Sequence, residues 1–251
     1  MRDLTYPATI LTAKTLFKVL GMTFQTSGAE HIPRAGGAIL AANHISYVDF
    51  VFDGLAAQPS GRLVRFMAKK DAFDHKISGP LMRSLHHICV DRENGQQSYD
   101  EAVRYARDGE IVGIFPEATI SRSFEIKELK TGAVRLAAEA GVPLIPMITW
   151  GTQLLKTKDH PSDLRGRGKT IGMHVGEPLA VTGEDPVAET ALLRQAMSAL
   201  LDKAIADYPI SPVGQWWAPA RHGGLAPSIE EALRLDQEEY AARAARRAAR
   251  S

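Results

Sequence analysis

Six short apolar runs, at residues 24–27, 38–42, 63–68, 111–115, 144–149 and 171–175, alternate with stretches of helical periodicity, and this alternation restricts the fold most. Runs of four to six residues, mostly apolar and bounded by turn-prone ones, have the length of strands, although 24–27 holds Gln25, Thr26 and Ser27 beside Phe24. Strands that alternate with helices predict an α/β fold, here a single mixed sheet flanked by helices. The clearest helix is 99–107, opened by Ser98 and Glu101 as a capping box and stopped by Gly109. A second spans 131–140 and ends at Gly141, with Pro143 beyond. A third, 187–208, carries a stripe of Leu192, Leu193, Met197, Leu200, Leu201 and Ile205 that is most simply core.

Both ends differ from this middle. Residues 1–24 place Ile10, Leu11, Leu16, Phe17 and Leu20 around Lys14 and Lys18. The lysines disfavour a membrane span, which needs ~20 mostly uncharged residues, and no secretory cleavage site follows. Two readings stand: an amphipathic, membrane-associating helix, or a helix packed on its own domain. Residues 25–210 form the expected α/β domain, and 211–251 a C-terminal extension. Within it, 228–251 reads as a helical tail capped by Ser228 and Glu231 and ending in Arg243, Arg246, Arg247 and Arg250. Such a basic tail is either solvated or docked on anionic lipid. Residues 156–169 lack apolar periodicity and read as a loop.

The chain of 251 residues has one cysteine, Cys89, which excludes an intramolecular disulfide and suits a reducing compartment. No group of Cys and His has zinc spacing, so no metal is expected. A net charge of +1 gives no ground for a nucleic-acid partner. Between residues 62 and 92, however, Arg62, Arg65, Lys69, Lys70, Lys76, Arg83 and Arg92 outnumber Asp71, Asp74 and Asp91, a local excess suited to anionic groups.

Two loops carry the candidate chemistry. The run 38–42 ends in Asn43-His44-Ile45-Ser46-Tyr47-Val48-Asp49 at the carboxyl end of a strand, where open α/β sheets keep their sites. With Ser46 as N-cap and Asp49 three residues on, a helix begins here. His44 and Asp49 are then a base and its orienter, or a loop histidine and a capping acid. The run 111–115 likewise leads into Pro116-Glu117-Ala118-Thr119-Ile120-Ser121-Arg122-Ser123. Glu117, Thr119, Ser121 and Arg122 suit a polyol or phosphate ligand, since hydroxyls and guanidinium donate to phosphate while a carboxylate accepts from hydroxyls.

These motifs resemble those of the glycerolipid acyltransferases of the 1-acylglycerol-3-phosphate acyltransferase type. The family's Asn-His, four residues, Asp is matched by Asn43, His44 and Asp49. Its basic stretch ending in a hydrophobic residue and Asp-Arg is similar to Lys69, Lys70, Arg83, Val90, Asp91 and Arg92. Its Phe-Pro-Glu-Gly-Thr-Arg-Ser resembles residues 115–121, its Lys-x-Gly-Ala resembles Lys130, Thr131, Gly132 and Ala133, and its Val-Pro-x-x-Pro resembles Val142, Pro143 and Pro146. The matches run in family order over residues 38–150. Ala118 and Ile120 replace the family's Gly and Arg; the second change removes a cation expected on the acceptor phosphate.

The resemblance implies transfer of a fatty acyl group from acyl-CoA or acyl-carrier protein to the hydroxyl of a lysophospholipid, 1-acylglycerol-3-phosphate first. Another glycerolipid or glycolipid acceptor is the alternative. It implies no cofactor, and a place on the cytoplasmic side of a membrane, peripheral or monotopic. His44 is the implied general base and Asp49 its partner, with backbone amides after His44 as candidate oxyanion donors. Arg83, Arg92, Arg122 and Lys130 are expected on the acceptor phosphate, Arg122 standing in for the missing arginine, while Glu117, Thr119 and Ser121 meet the glycerol. A lipid hydrolase is a rival, though no Gly-x-Ser-x-Gly elbow occurs. A non-catalytic lipid-binding protein is another.

Overall fold

Every residue of the strand Ala38–Ala42 (β2) is buried, and its side chains alternate between two cores. Ile39 and Ala41 face one, Leu40 and Ala42 the other. A strand buried on both faces reads as an unbroken apolar run, and burying each such aliphatic side chain contributes roughly 1.5–3 kcal/mol. The computed structural model describes residues 5–76, 78–91 and 94–248, except the side chains of 243 and 246–248. Arg92 and the arginines of the C-terminal tail therefore lie outside the described residues or side chains.

Around β2 lie β1 (Thr23–Ser27), β3 (Val64–Lys69), β4 (Ile88–Val90), β5 (Ile111–Ile114), β6 (Leu144–Trp150) and β7 (Thr170–Val175). They form a seven-stranded sheet in the order β1-β7-β6-β2-β5-β3-β4. All neighbours are parallel except β6 and β7, so the sheet is mixed, as the sequence predicts. The helices are α1 (Tyr6–Val19), α2 (Asp49–Ala56), α3 (Lys70–Asp74), α4 (Ser78–Ser84), α5 (Gly95–Arg107), α6 (Gly132–Ala140), α7 (Pro186–Ala206) and α8 (Ile229–Ala248). Phe17 of α1 and Phe52 of α2 join the core on one face; Ala102 of α5, Leu136 of α6 and Met197 of α7 join that on the other.

Some boundaries differ from expectation for local reasons. The strand β4 has three residues, too few to show a period. Helix α5 starts at Gly95, so Ser98 lies inside it; its hydroxyl donates to Cys89 O at 2.9 Å instead of capping. Ser46 stands two residues ahead of the cap position, Val48, and donates to Lys156 O at 2.6 Å. Gly37 sits where a Cβ would lie 1.9 Å from Ala106 O, so glycine there lets β2 begin against the end of α5. Beyond α7, Trp217, Ala218 and Ala226 bury themselves in the core that carries α5–α7.

Candidate active site

Ala41 of β2 pairs in register with Ile114 of β5, so the loops after both strands leave the same edge of the sheet side by side. The first loop wraps around the buried carboxyl group of Asp49. Its Oδ2 accepts from the amides of Ile45 and Ser46, each at 2.8 Å, and lies 3.0 Å from His44 Nδ1. Its Oδ1 accepts from Thr152 Oγ1 at 2.5 Å. One oxygen thus serves the loop amides and the imidazole together, while α2, which begins at Asp49 itself, has no side-chain cap. With Nδ1–H facing Asp49, the other ring nitrogen is the one left for a ligand. The His44 side chain is 22% exposed, and its ring stacks on Phe115 with centroids 4.3 Å apart.

The second loop grips the backbone of His44 from both sides. Glu117 Oε1 accepts its N–H at 2.9 Å, and its carbonyl accepts the Ser121 N–H at 2.7 Å. The other Glu117 oxygen accepts the Lys127 amide at 3.4 Å. Burial pushes the Glu117 carboxyl up to about 7, against the lowering effect of the His44 and Lys127 amides. Ala118, next in the chain, adopts φ 60°, a left-handed conformation that crowds its Cβ and that the family's glycine takes freely.

A third group buttresses the strand ends. Asn43 donates to Thr149 O at 3.1 Å and accepts the Thr149 amide at 2.8 Å. The Thr149 hydroxyl donates to Asp53 at 2.5 Å. Burial, with the neighbouring charge of Asp49, raises the Asp53 carboxyl well above the usual range.

The predicted cations fall in different places. Arg122 pairs with Asp159 at 2.5 Å, with Glu239 at 2.9 Å and with Asp236. Burial pulls its guanidinium down, but Asp159 and Glu239 outweigh it and hold the group above its ordinary value. Lys130 is exposed, its amide anchored on Pro116 O at 2.9 Å. Arg83 is exposed on α4 and donates to Phe73 O at 2.8 Å. The basic stretch before it is partly internal: Arg65 is 1% exposed and pairs with Glu110, while Arg62 donates to Pro33 O and Gly109 O.

Ser121 is fully buried, its hydroxyl turned to Glu125 O and Ser123. Thr119 is half-buried and accepts from Lys127 Nζ at 2.6 Å. The amides proposed as oxyanion donors are spent within the protein. Those of Ile45 and Ser46 go to Asp49, that of Tyr47 to Lys156 O and that of Val48 to Ser46 Oγ. Sequence reasoning missed Thr152 and Lys127. Thr152 lies 103 residues from Asp49, and Lys127 stands between buried Ile126 and exposed Glu128 with no pattern to mark it, so neither gives a local signal.

An acid-supported histidine at the carboxyl edge of a mixed sheet, gripped by a second acidic loop, coincides with a family match. The acyltransferase family model matches residues 23–150, and the chain belongs to that family. Its curated relatives include acyltransferases of 1-acyl-sn-glycerol-3-phosphate and of a lyso-ornithine lipid. The 1-acyl-sn-glycerol-3-phosphate acyltransferase of Bacillus subtilis is 35% identical over 151 residues, 60% of this chain and 70% of the relative. The enzyme of the same name from Limnanthes douglasii is 36% identical over 54% of this chain, which spans 48% of its length. A lyso-ornithine lipid O-acyltransferase of Rhizobium meliloti is 35% identical over 51% of this chain and 42% of its own. Among solved structures, the 1-acyl-sn-glycerophosphate acyltransferase of Thermotoga maritima shares the fold. Its TM-score is 0.66 at 21% identity, covering 84% of this chain and 86% of that one.

Proposed function

We propose that this acyltransferase moves a fatty acyl group from acyl-CoA or acyl-carrier protein to the free hydroxyl of 1-acylglycerol-3-phosphate. The observation that carries this reading is the His44–Asp49 contact at 3.0 Å, with the imidazole still partly exposed. Nε2 of His44 takes the proton of the acceptor hydroxyl while its oxygen attacks the thioester carbonyl. Asp49 fixes the ring and stabilises the imidazolium that forms. As the tetrahedral intermediate collapses, the carbon–sulfur bond breaks and the proton passes from Nε2 to the leaving thiolate. Oxygen replaces sulfur on the acyl carbon, and no acyl-enzyme is formed. Glu117 and Ser121 hold the histidine backbone, and Thr119 and Lys130 face the acceptor.

The same reading places the chain on a membrane surface. Among the described residues no helix is long and apolar enough to cross one. Leu11, Leu16 and Val19 are 67%, 52% and 61% exposed on the arc of α1 opposite the buried Tyr6 and Phe17. Lys14 and Lys18 line an open cavity of about 600 Å³ with Met22, Phe24, Leu55 and Met173. Arg167 donates to Val19 O at 3.2 Å, which brings the loop 156–169 beside the end of α1. Exposed aliphatics next to cations suit the interface of an anionic bilayer.

The test is product analysis. Purified chain, oleoyl-CoA and 1-oleoyl-lysophosphatidate are expected to give phosphatidate and one free thiol per product. Thiol release without phosphatidate, with oleate instead, would make the protein a thioesterase.

A further inference from the structure

Ile120 is 4% exposed, so the position that carries the motif arginine in the family offers no charge here. Arg122 is engaged by three carboxylates, and Lys158 Nζ by two, Asp236 at 2.9 Å and Glu239 at 3.0 Å. Lys127 is placed differently. Its side chain is 5% exposed, and its Nζ donates to Thr119 Oγ1 at 2.6 Å. Its carboxylate contact, with Asp236 Oδ2, is 3.5 Å, beyond the usual span of a direct N–H···O bond. An ammonium has three N–H donors, and these two contacts leave one without a partner among the described residues. Because Thr119 Oγ1 accepts from Lys127, the threonine hydrogen is free to donate elsewhere.

We propose that Lys127 supplies the cation that Ile120 withholds, meeting the acceptor's phosphate together with Thr119, and that Asp236 of α8 is the positioning residue that holds it there. This rests on the acyl-transfer reading above and adds the determinant of head-group choice. The backbone gives Lys127 a fixed relation to the base, since its amide and that of His44 share the Glu117 carboxyl. A largely desolvated ammonium also binds a phosphate more strongly than an exposed lysine does, because water screens it less.

The test is the preference ratio, kcat/KM for 1-oleoyl-lysophosphatidate divided by that for 1-oleoylglycerol, with oleoyl-CoA as donor and the full chain as enzyme. Losing one charge-assisted contact is expected to lower that ratio about tenfold or more in Lys127→Met, chiefly through KM for the phosphorylated acceptor. Lys127→Gln, which keeps a donor for Thr119 without the charge, is expected to lose the preference likewise and serves if the Met variant does not fold. Lys127→Arg is expected to retain most of it. A wild-type ratio in the folded Gln variant overturns the assignment. So does a wild-type enzyme that acylates both acceptors alike, which leaves acyl transfer standing; a wild type that acylates neither removes the acyl-transfer reading itself.

Discussion

At Asp49 one carboxyl group collects two amides, an imidazole and a hydroxyl, so the bend of the loop and the direction of the His44 ring are set together. Glu117 does the same for the backbone of His44, at a cost that depends on pH. Its folded carboxyl holds a proton up to about 7, whereas an unfolded one releases it near 4.5. The folded state therefore binds more protons between those values, and this group's contribution to stability falls as pH rises through that window. Glu117→Gln is expected to remove a slope of about 3 kcal/mol, read as urea stability at the two ends of the window; parallel profiles for variant and wild type would contradict it. At Ala118 the left-handed φ of 60° gives the opposite kind of prediction. Relief of strain of ~1–2 kcal/mol, less the added freedom of an unfolded glycine, should make Ala118→Gly more stable by about 0.5–1 kcal/mol, a rise in Tm of about 2–3 °C. An unchanged or lower Tm would show that the loop relaxes around the alanine. His44 and Asp49 were legible in the sequence because they lie five residues apart in one turn. Thr152 was not, because only the pairing of β6 with β2 brings it to Asp49.

Helix α8 matters through a few charged side chains. Asp236 is 6% exposed and touches Arg122, Lys127 and Lys158, which ties α8 to the long loop between β5 and α6 and to the loop after β6. Removing that carboxylate leaves buried cations short of a partner. Asp236→Ala is expected to lose about 3–5 kcal/mol in urea denaturation, against 1 kcal/mol or less for an exposed pair. A loss in the lower range would mean that α8 is dispensable to the loop. The capping signal of Ser228 was readable, and its hydroxyl does accept the Glu231 amide at 3.2 Å. What the helix packs against was not readable, since ion pairs over more than a hundred residues leave no periodicity. β4 escaped for the opposite reason, being too short for any pattern, whereas the strands of four or more residues were legible within one or two residues at each end.

For the molecule as a whole, the sheet divides the labour. One edge carries the two gripping loops, while α1 turns its leucines outward beside Lys14, Lys18 and the loop bearing Arg167. Of the two sequence readings of the first helix, the packed one describes the arc where Phe17 stacks on Phe52 at 5.1 Å; Leu11 and Leu16 stay exposed, and the membrane proposal rests on them. The membrane proposal predicts flotation with phosphatidylglycerol vesicles that weakens as salt rises from about 0.05 to 0.5 M. Leu11→Asp with Leu16→Asp should abolish that binding; retention by the double variant would move the contact elsewhere. All of this serves one claim, that an imidazole braced by a buried carboxyl removes the acceptor's proton. The most direct measurement is thiol release from oleoyl-CoA in the presence of lysophosphatidate by wild type and by His44→Ala of matched Tm. The account predicts a fall in kcat of ~10²–10⁴; wild-type turnover in the folded variant would contradict it.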